Sequence, residues 1–280
     1  MKLIGYTCTF NEAVTIPYVM PYVEMMGYDK FIVYDNESTD NTVKLLSKYP
    51  FVEIRNWDTG GVFSEIGKRN LQIDAYEKCS SIAIETGEDV WMTFTDFDEV
   101  IYCTRERGGT VKDYLSWLTV KGYNCFDGRM IQLTCDGSEE NNSLLPHEWN
   151  GVRGTWWLTE GKKPLLFKVN DFKYAEFICG NHAMGVIPND GVNIINLADT
   201  REFHGFHFKY FKPDILEKKE KTYKFYGAGQ LTMNGEYLDA IKKIRSTSFP
   251  LDMYFLMNGF FSSSNSFIRD GFGEGIYLKQ

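Results

Sequence analysis

The chain contains no Cys-x-x-Cys pair; its six cysteines, Cys8, Cys79, Cys103, Cys125, Cys135 and Cys179, are scattered. A zinc knuckle needs closely paired ligands and a disulfide scaffold needs recurrent spacing in a short chain, so both are disfavoured and a reducing setting is expected. Histidine is scarce, with four in 280 residues. No apolar run reaches the roughly 18 residues of a membrane-spanning helix. The opening Lys2-Leu3-Ile4-Gly5-Tyr6-Thr7 reads as a strand, not as the charged and apolar regions of a secretory signal. A cytoplasmic location is expected, with peripheral contact at the inner face of a membrane left open. Positive charge is also short: 30 Lys and Arg stand against 38 Asp and Glu, a net charge of −8 at pH 7. Nucleic-acid binding normally requires a basic field and is therefore disfavoured.

What the chain does have is a sizeable apolar complement, 43% hydrophobic and 16% aromatic, enough for a substantial core. Residues 3–9, 30–34, 51–55 and 90–94 read as short, mostly apolar strands. Helical stretches alternate with them: Ile16 to Met26 with Gly27 as the stop, Asn41 to Lys48 capped by Thr39 or Asp40, and a run through Leu71 and Tyr76. This alternation predicts an α/β fold with a mostly parallel central sheet flanked by helices. Further strands are expected at Phe126–Thr134 and Leu165–Val169, and further helices at Phe211–Tyr226 and Tyr237–Arg245. No repeat or linker is evident. The reading is one domain over 1–280: a ligand-binding half (1–105), an acceptor half (106–210) and a helical extension (211–280).

The most informative stretch is Trp91-Met92-Thr93-Phe94-Thr95-Asp96-Phe97-Asp98-Glu99-Val100. If the strand continued, Asp96 and Asp98 would point to one side and crowd two negative charges. Such a pair calls for raised pKa values or a hard divalent cation, which also holds phosphates. In parallel α/β sheets ligands bind beyond the carboxyl ends of the strands. Three polar clusters fall there: Thr9 to Glu12, Asp35 to Asp40, and Asp96 to Glu99.

CTFNEA (8–13), YDNESTDNT (34–42), GKRN (67–70) and TFTDFDEV (93–100) together resemble the nucleotide-sugar half of GT-A glycosyltransferases, most of all family 2 and its relatives. The resemblance implies a GT-A fold and a metal-dependent, inverting transfer. The sugar would pass from a nucleoside diphosphate, expected to be UDP, to a hydroxyl on a glycan or lipid-linked acceptor in surface polysaccharide assembly. It implies that Thr9, Phe10 and Glu12 frame the base and ribose, that Asp35 holds the base, and that Lys68, Arg69 and Asn70 lie near base and diphosphate. It further implies that Asp96 lies near ribose and metal, and that Asp98 ligates Mn2+ or Mg2+.

The resemblance also implies a C-terminal histidine as a further metal ligand. His204 and His207 are not separable: in a strand they face opposite sides, in a helical turn they share one. His182 is a weaker candidate near donor sugar or acceptor. The general base is open among Asp127, Asp136, Glu139, Glu140, Glu160 and Glu176, with Asp136 preferred. Trp149, Trp156 and Trp157 suit stacking on a sugar ring or plain packing. Lys212, Lys218, Lys219, Lys221 and Lys224 suit diphosphate, an anionic lipid carrier or a solvated helix face. An aromatic tail from Phe249 packs internally, forms a homo-oligomer or rests on a membrane. Two rival functions remain. A sugar nucleotidyltransferase is disfavoured because the first loop, Thr9 to Ala13, holds no glycine to cradle a triphosphate. A non-catalytic glycan-binding scaffold is disfavoured because both Asp96 and Asp98 are present.

Overall fold

The computed structural model describes residues 1–59, 64–103, 110–135, 146, 152–156, 162–178, 183–195, 203–208, 211, 214, 215, 218, 249–250 and 275–278. The first strands are β1 (Lys2–Thr9), β2 (Lys30–Asp35), β3 (Val52–Asn56) and β4 (Val90–Phe94). They pair in parallel in the order β4-β1-β2-β3. Between them run α1 (Ile16–Met26), α2 (Thr42–Leu46) and α3 (Glu65–Thr86). This is the expected α/β half, covered on both faces. One apolar cluster joins α1 and α2 to the sheet through Val19, Met20, Val23, Val33 and Leu46; another joins α3 to the opposite face through Ala75, Tyr76, Cys79, Ile4 and Ile32. Burial of both faces explains why β1, β2 and β4 are apolar almost without alternation.

Beyond β4 the sheet becomes antiparallel. β6 (Cys125–Cys135), β7 (Val152–Trp156), β8 (Lys162–Lys168) and β12 (Phe249–Pro250) extend it in the order β12-β7-β6-β8-β4. The helix α4 (Val111–Val120) packs Val111, Leu115 and Leu118 onto β4, β6 and β8. Two strands complete the wall beside the carboxyl end of β4: β5 (Glu99–Cys103) and β11 (Phe203–His207) pair antiparallel, and β11 also lies parallel to β6. A separate three-stranded sheet is formed by β9 (Phe172–Ile178), β10 (Ala183–Pro188) and β13 (Gly275–Leu278). No helix among the described residues is long and apolar enough to cross a membrane.

Several boundaries follow from local chemistry. α1 ends at Gly27, whose φ of 70° is the left-handed conformation that glycine adopts at least cost. α3 starts at Ser64, whose hydroxyl accepts the Gly67 N–H at 2.9 Å. α2 is shorter than the expected 41–48, and Asn41 rather than Thr39 or Asp40 occupies its cap position. Asp40 is instead drawn to Thr42, accepting its N–H at 2.8 Å and its hydroxyl at 2.5 Å. The expected helix over Tyr237–Arg245 lies outside the described residues, as does most of that over Phe211–Tyr226, where Asp214, Ile215 and Lys218 are helical.

Candidate functional site

The parallel register brings Thr9 beside Asp35 at the carboxyl ends of β1 and β2. Thr9 Oγ1 donates to Asp35 Oδ1 at 3.2 Å, Ser38 N donates to Oδ2 at 3.0 Å, and Ser38 Oγ donates to Oδ1 at 2.5 Å. Asp35 is buried, and three donors fix its carboxylate while leaving about one of its four acceptor positions. The loop after β1 is tied to the loop after β2. Asn11 takes a left-handed φ of 54°, which asparagine tolerates better than most residues. Its Oδ1 accepts the N–H groups of Thr39 at 2.7 Å and Asp40 at 3.2 Å, while its own N–H donates to Ser38 Oγ at 2.8 Å. Glu12 N–H donates to Thr42 Oγ1 at 2.6 Å, and the buried Glu12 carboxylate pairs with Lys218 from the C-terminal part. Phe10 is half-buried in this loop. Two loops that are far apart in sequence thus form one preorganised rim.

The acidic run does not continue the strand. β4 stops at Phe94 and β5 starts at Glu99; between them the chain turns, with Glu99 N–H donating to Asp96 O at 3.0 Å. Alternation therefore does not place Asp96 and Asp98 side by side, and each meets a different partner. Asp96 forms an ion pair with Lys68 from the first turns of α3. Burial by itself would raise the Asp96 carboxyl, but Lys68 and then Lys163 outweigh it and hold it below the ordinary range. The Lys68 ammonium would be lowered by burial, and Asp96 outweighs that and raises it. Asp98 is buried, with Oδ2 3.4 Å from His207 Nε2, and Phe208 N–H donates to its backbone O at 2.8 Å. Glu99 is buried against Lys163 of β8 in an ion pair, and its Oε1 lies 3.9 Å from His207 Nδ1. Three acids (Asp96, Asp98, Glu99) face two lysines (Lys68, Lys163), so the group carries one negative charge in excess with His207 neutral.

No three His, Cys, Asp or Glu side chains among the described residues cluster tightly enough to hold a metal ion unaided. Asp98 Oδ2 and His207 Nε2 do fit as a pair. Two donors about 2.1 Å from one ion at a right angle stand about 3 Å apart, near the observed separation. A carboxylate and an imidazole suit Mn2+ or Mg2+, which commonly complete their shell with phosphate oxygens and water.

His204 and His207 belong to a strand, not a helical turn, and it is His207 that lies beside Asp98. The side chain of His204 lies outside the described residues. Arg69 and Asn70 are exposed, and Arg69 reaches Glu176 of β9 in an ion pair rather than joining Lys68 at the acids. That pairing gives Glu176 a structural partner. Asp136, Glu139, Glu140, Glu160, Trp149, Trp157 and His182 lie outside the described residues, as do the side chains of Asp127 and Trp156. Sequence reasoning assigned no individual role to Lys163 or Glu99. Glu99 adjoins the Asp-x-Asp run, but its burial depends on β5 pairing with β11, and Lys163 lies 64 residues away on a strand that reads as an ordinary cationic edge.

Comparison with known proteins adds the following. No curated protein matches the chain significantly in sequence. Among solved structures, S. aureus TarS in complex with UDP-GlcNAc is similar at 14% identity and a TM-score of 0.41, over 77% of this chain and 61% of that one. A longer TarS structure is similar at 13% identity and a TM-score of 0.41, over 78% of this chain and 38% of that one. The 4-diphosphocytidyl-2C-methyl-D-erythritol synthase of Anaerococcus prevotii is similar at 8% identity and a TM-score of 0.29, over 60% and 70%. The chain therefore spans about two fifths to three fifths of the TarS chains, and likenesses at these scores carry no argument. The sequence match is different in kind. The family model for glycosyltransferase family 92 covers residues 12–152, which is half of the chain. That span holds Asp35, Lys68 and the whole Asp96–Glu99 turn, and by it the chain belongs to glycosyltransferase family 92.

Proposed function

We propose that this protein is a metal-dependent glycosyltransferase that moves a sugar from a nucleoside diphosphate donor, UDP by preference, to a hydroxyl of a glycan or lipid-linked acceptor. The observation that carries the reading is the convergence of Asp35, Lys68, Asp96, Asp98 and His207 at the carboxyl ends of β1, β2 and β4. Asp35 is a buried, three-fold hydrogen-bonded carboxylate with room for one more donor, which suits an N–H of a base. In this reading Asp96 and Lys68 face the ribose and diphosphate. Asp98 and His207 would hold Mn2+ or Mg2+, whose chemistry is to neutralise the charge that builds on a departing diphosphate.

In the transfer, the acceptor oxygen forms a bond to the anomeric carbon as the bond from that carbon to the diphosphate oxygen breaks. The acceptor proton passes to a carboxylate base, and the nucleoside diphosphate leaves with the electron pair. In this reading Lys68, which pairs with Asp96, contacts the diphosphate. Inverting stereochemistry and a role in surface polysaccharide assembly belong to the same reading and derive from the family resemblance; Asp136 is the base preferred among the available acids.

The test is calorimetric titration of the full chain with UDP, GDP, CDP and dTDP, each with Mn2+ and with chelator. Metal-dependent binding of one diphosphate supports the reading and names the donor nucleotide. Absence of binding to all four overturns it.

A further inference from the structure

We propose that Trp57, at the carboxyl end of β3, is the stacking platform for the nucleobase of the donor. The inference rests on the nucleotide reading of Asp35 and Lys68 and adds the group that meets the base on its face. A carboxylate accepts from an N–H at the edge of a base, in the plane of the ring, and leaves both faces to other groups. An indole is the largest aromatic surface a side chain can lay against such a face, and stacking of that kind tolerates any base.

The register fixes the place of Trp57. Thr9, Asp35 and Asn56 are aligned across β1, β2 and β3, so the residues that follow them, Phe10, Asn36 and Trp57, stand in a row beyond the strand ends. Trp57 is rooted one strand spacing, ~4.8 Å, from β2, on the side away from Phe10. Its loop is tied down. Trp57 N–H donates to Asp35 O at 2.8 Å, and Thr59 donates to Oδ1 of the buried Asn36 from its N–H at 3.2 Å and its hydroxyl at 2.7 Å. The ring leans toward the start of α3. A Cβ on Gly67 would stand 3.0 Å from Trp57 Cζ2, which accounts for a glycine inside a helix, where it is otherwise a poor choice. Gly67 precedes Lys68, the partner of Asp96, so the indole lies between the Asp35 carboxylate and the Lys68–Asp96 pair. It packs against the apolar cluster under α3 and is only half-buried. A half-exposed indole between a base-holding carboxylate and a phosphate-facing lysine offers the surface that a planar base would cover.

The test is binding of UDP, GDP, CDP and dTDP, and of pyrophosphate, which has no base, to the full chain with Mn2+. Calorimetry gives the affinities, and the emission of the six tryptophans reports stacking. The nucleotide that binds should quench that emission. Trp57→Phe should remove the quenching while keeping the affinity within about threefold, and Trp57→Leu should lower the affinity on the order of 10-fold. Pyrophosphate should bind both variants as it binds the unsubstituted chain. The proposal is overturned by a nucleotide affinity unchanged in Trp57→Leu, or by quenching that is absent from the unsubstituted chain or persists in Trp57→Phe. Equal losses for nucleotide and pyrophosphate also overturn it, because the indole would then act only through packing. Should Trp57→Leu fail to fold, the quenching in Trp57→Phe decides. If no nucleotide binds even the unsubstituted chain, the donor reading itself falls and this inference falls with it.

Discussion

Asp98 and Asp96 stand two residues apart and meet different environments. Asp98 is buried against His207, whereas Asp96 is half-buried and neutralised by Lys68. Asp98→Ala should therefore abolish metal-dependent nucleotide binding while leaving the far-UV circular dichroism unchanged, and Asp96→Asn should weaken it less. Calorimetry with Mn2+ and with chelator checks both; unchanged affinity and metal dependence in Asp98→Ala would remove the central assignment. The Lys163–Glu99 pair permits a stability test. Removing one member leaves a buried, uncompensated charge, so Lys163→Met should destabilise the chain by roughly 3–5 kcal/mol. Replacing both members, in Glu99→Gln/Lys163→Met, should recover most of that loss. Urea unfolding of the two variants makes the comparison, and equal losses in both would mean that the cost lies in packing rather than in charge.

Among the elements, β1 is the most constrained. It is the central parallel strand, and Gly5 admits no side chain there: a Cβ would lie 2.5 Å from Phe31 Cδ2 and 2.8 Å from Tyr28 Cε1. Gly5→Ala should cost roughly 1–3 kcal/mol through overpacking, seen as a lower urea midpoint, and a neutral Gly5→Ala would show that the rings give way freely. The element boundaries show how far local signals reach. α1 from Ile16 to Met26 with its Gly27 stop was legible because apolar spacing and a C-terminal glycine agree. β4 was legible because five apolar or β-favouring residues run together. The turn between β4 and β5 was not, because Thr95-Asp96-Phe97-Asp98 carries no glycine or proline and continues the aromatic pattern. β5 and β11 escaped for a related reason: each is a five-residue strand stabilised by pairing with a segment about 100 residues away.

At the scale of the whole molecule, burial of ionisable groups sets the response to alkali. Burial pushes the thiols of Cys8 and Cys79 up to about 12 each, and burial together with Asp74 pushes Tyr34 up to about 12. Tyr6 and Tyr28 are likewise raised by burial. In the unfolded chain thiols ionise near about 8.5 and phenols near about 10. Each group raised on folding contributes stability that is fully present below its unfolded value and is lost as pH rises toward its folded value. The unfolded chain thus releases protons that the folded chain keeps, and stability should fall from about pH 8.5 upward by up to ~1.4 kcal/mol per pH unit for each group. Urea midpoints between pH 8 and 11 test this, and Cys79→Ala should make the decline shallower. A midpoint constant over that range would contradict the burial of these groups.

The sequence by itself determined the α/β alternation, the three polar clusters at the strand ends and the special place of Asp96 and Asp98, while that of Asp35 came from the family resemblance. Those features rest on local periodicity, turn chemistry and residues near one another in the chain. Only the tertiary structure decided that His207 is the histidine beside Asp98, that Lys68 and not Arg69 meets Asp96, and that Lys163 holds Glu99 behind the ring. The physical reason is the same in each case. A buried charge must find a partner of opposite sign, and which partner it finds is settled by strand pairing and helix placement across long sequence separations, which no local pattern encodes.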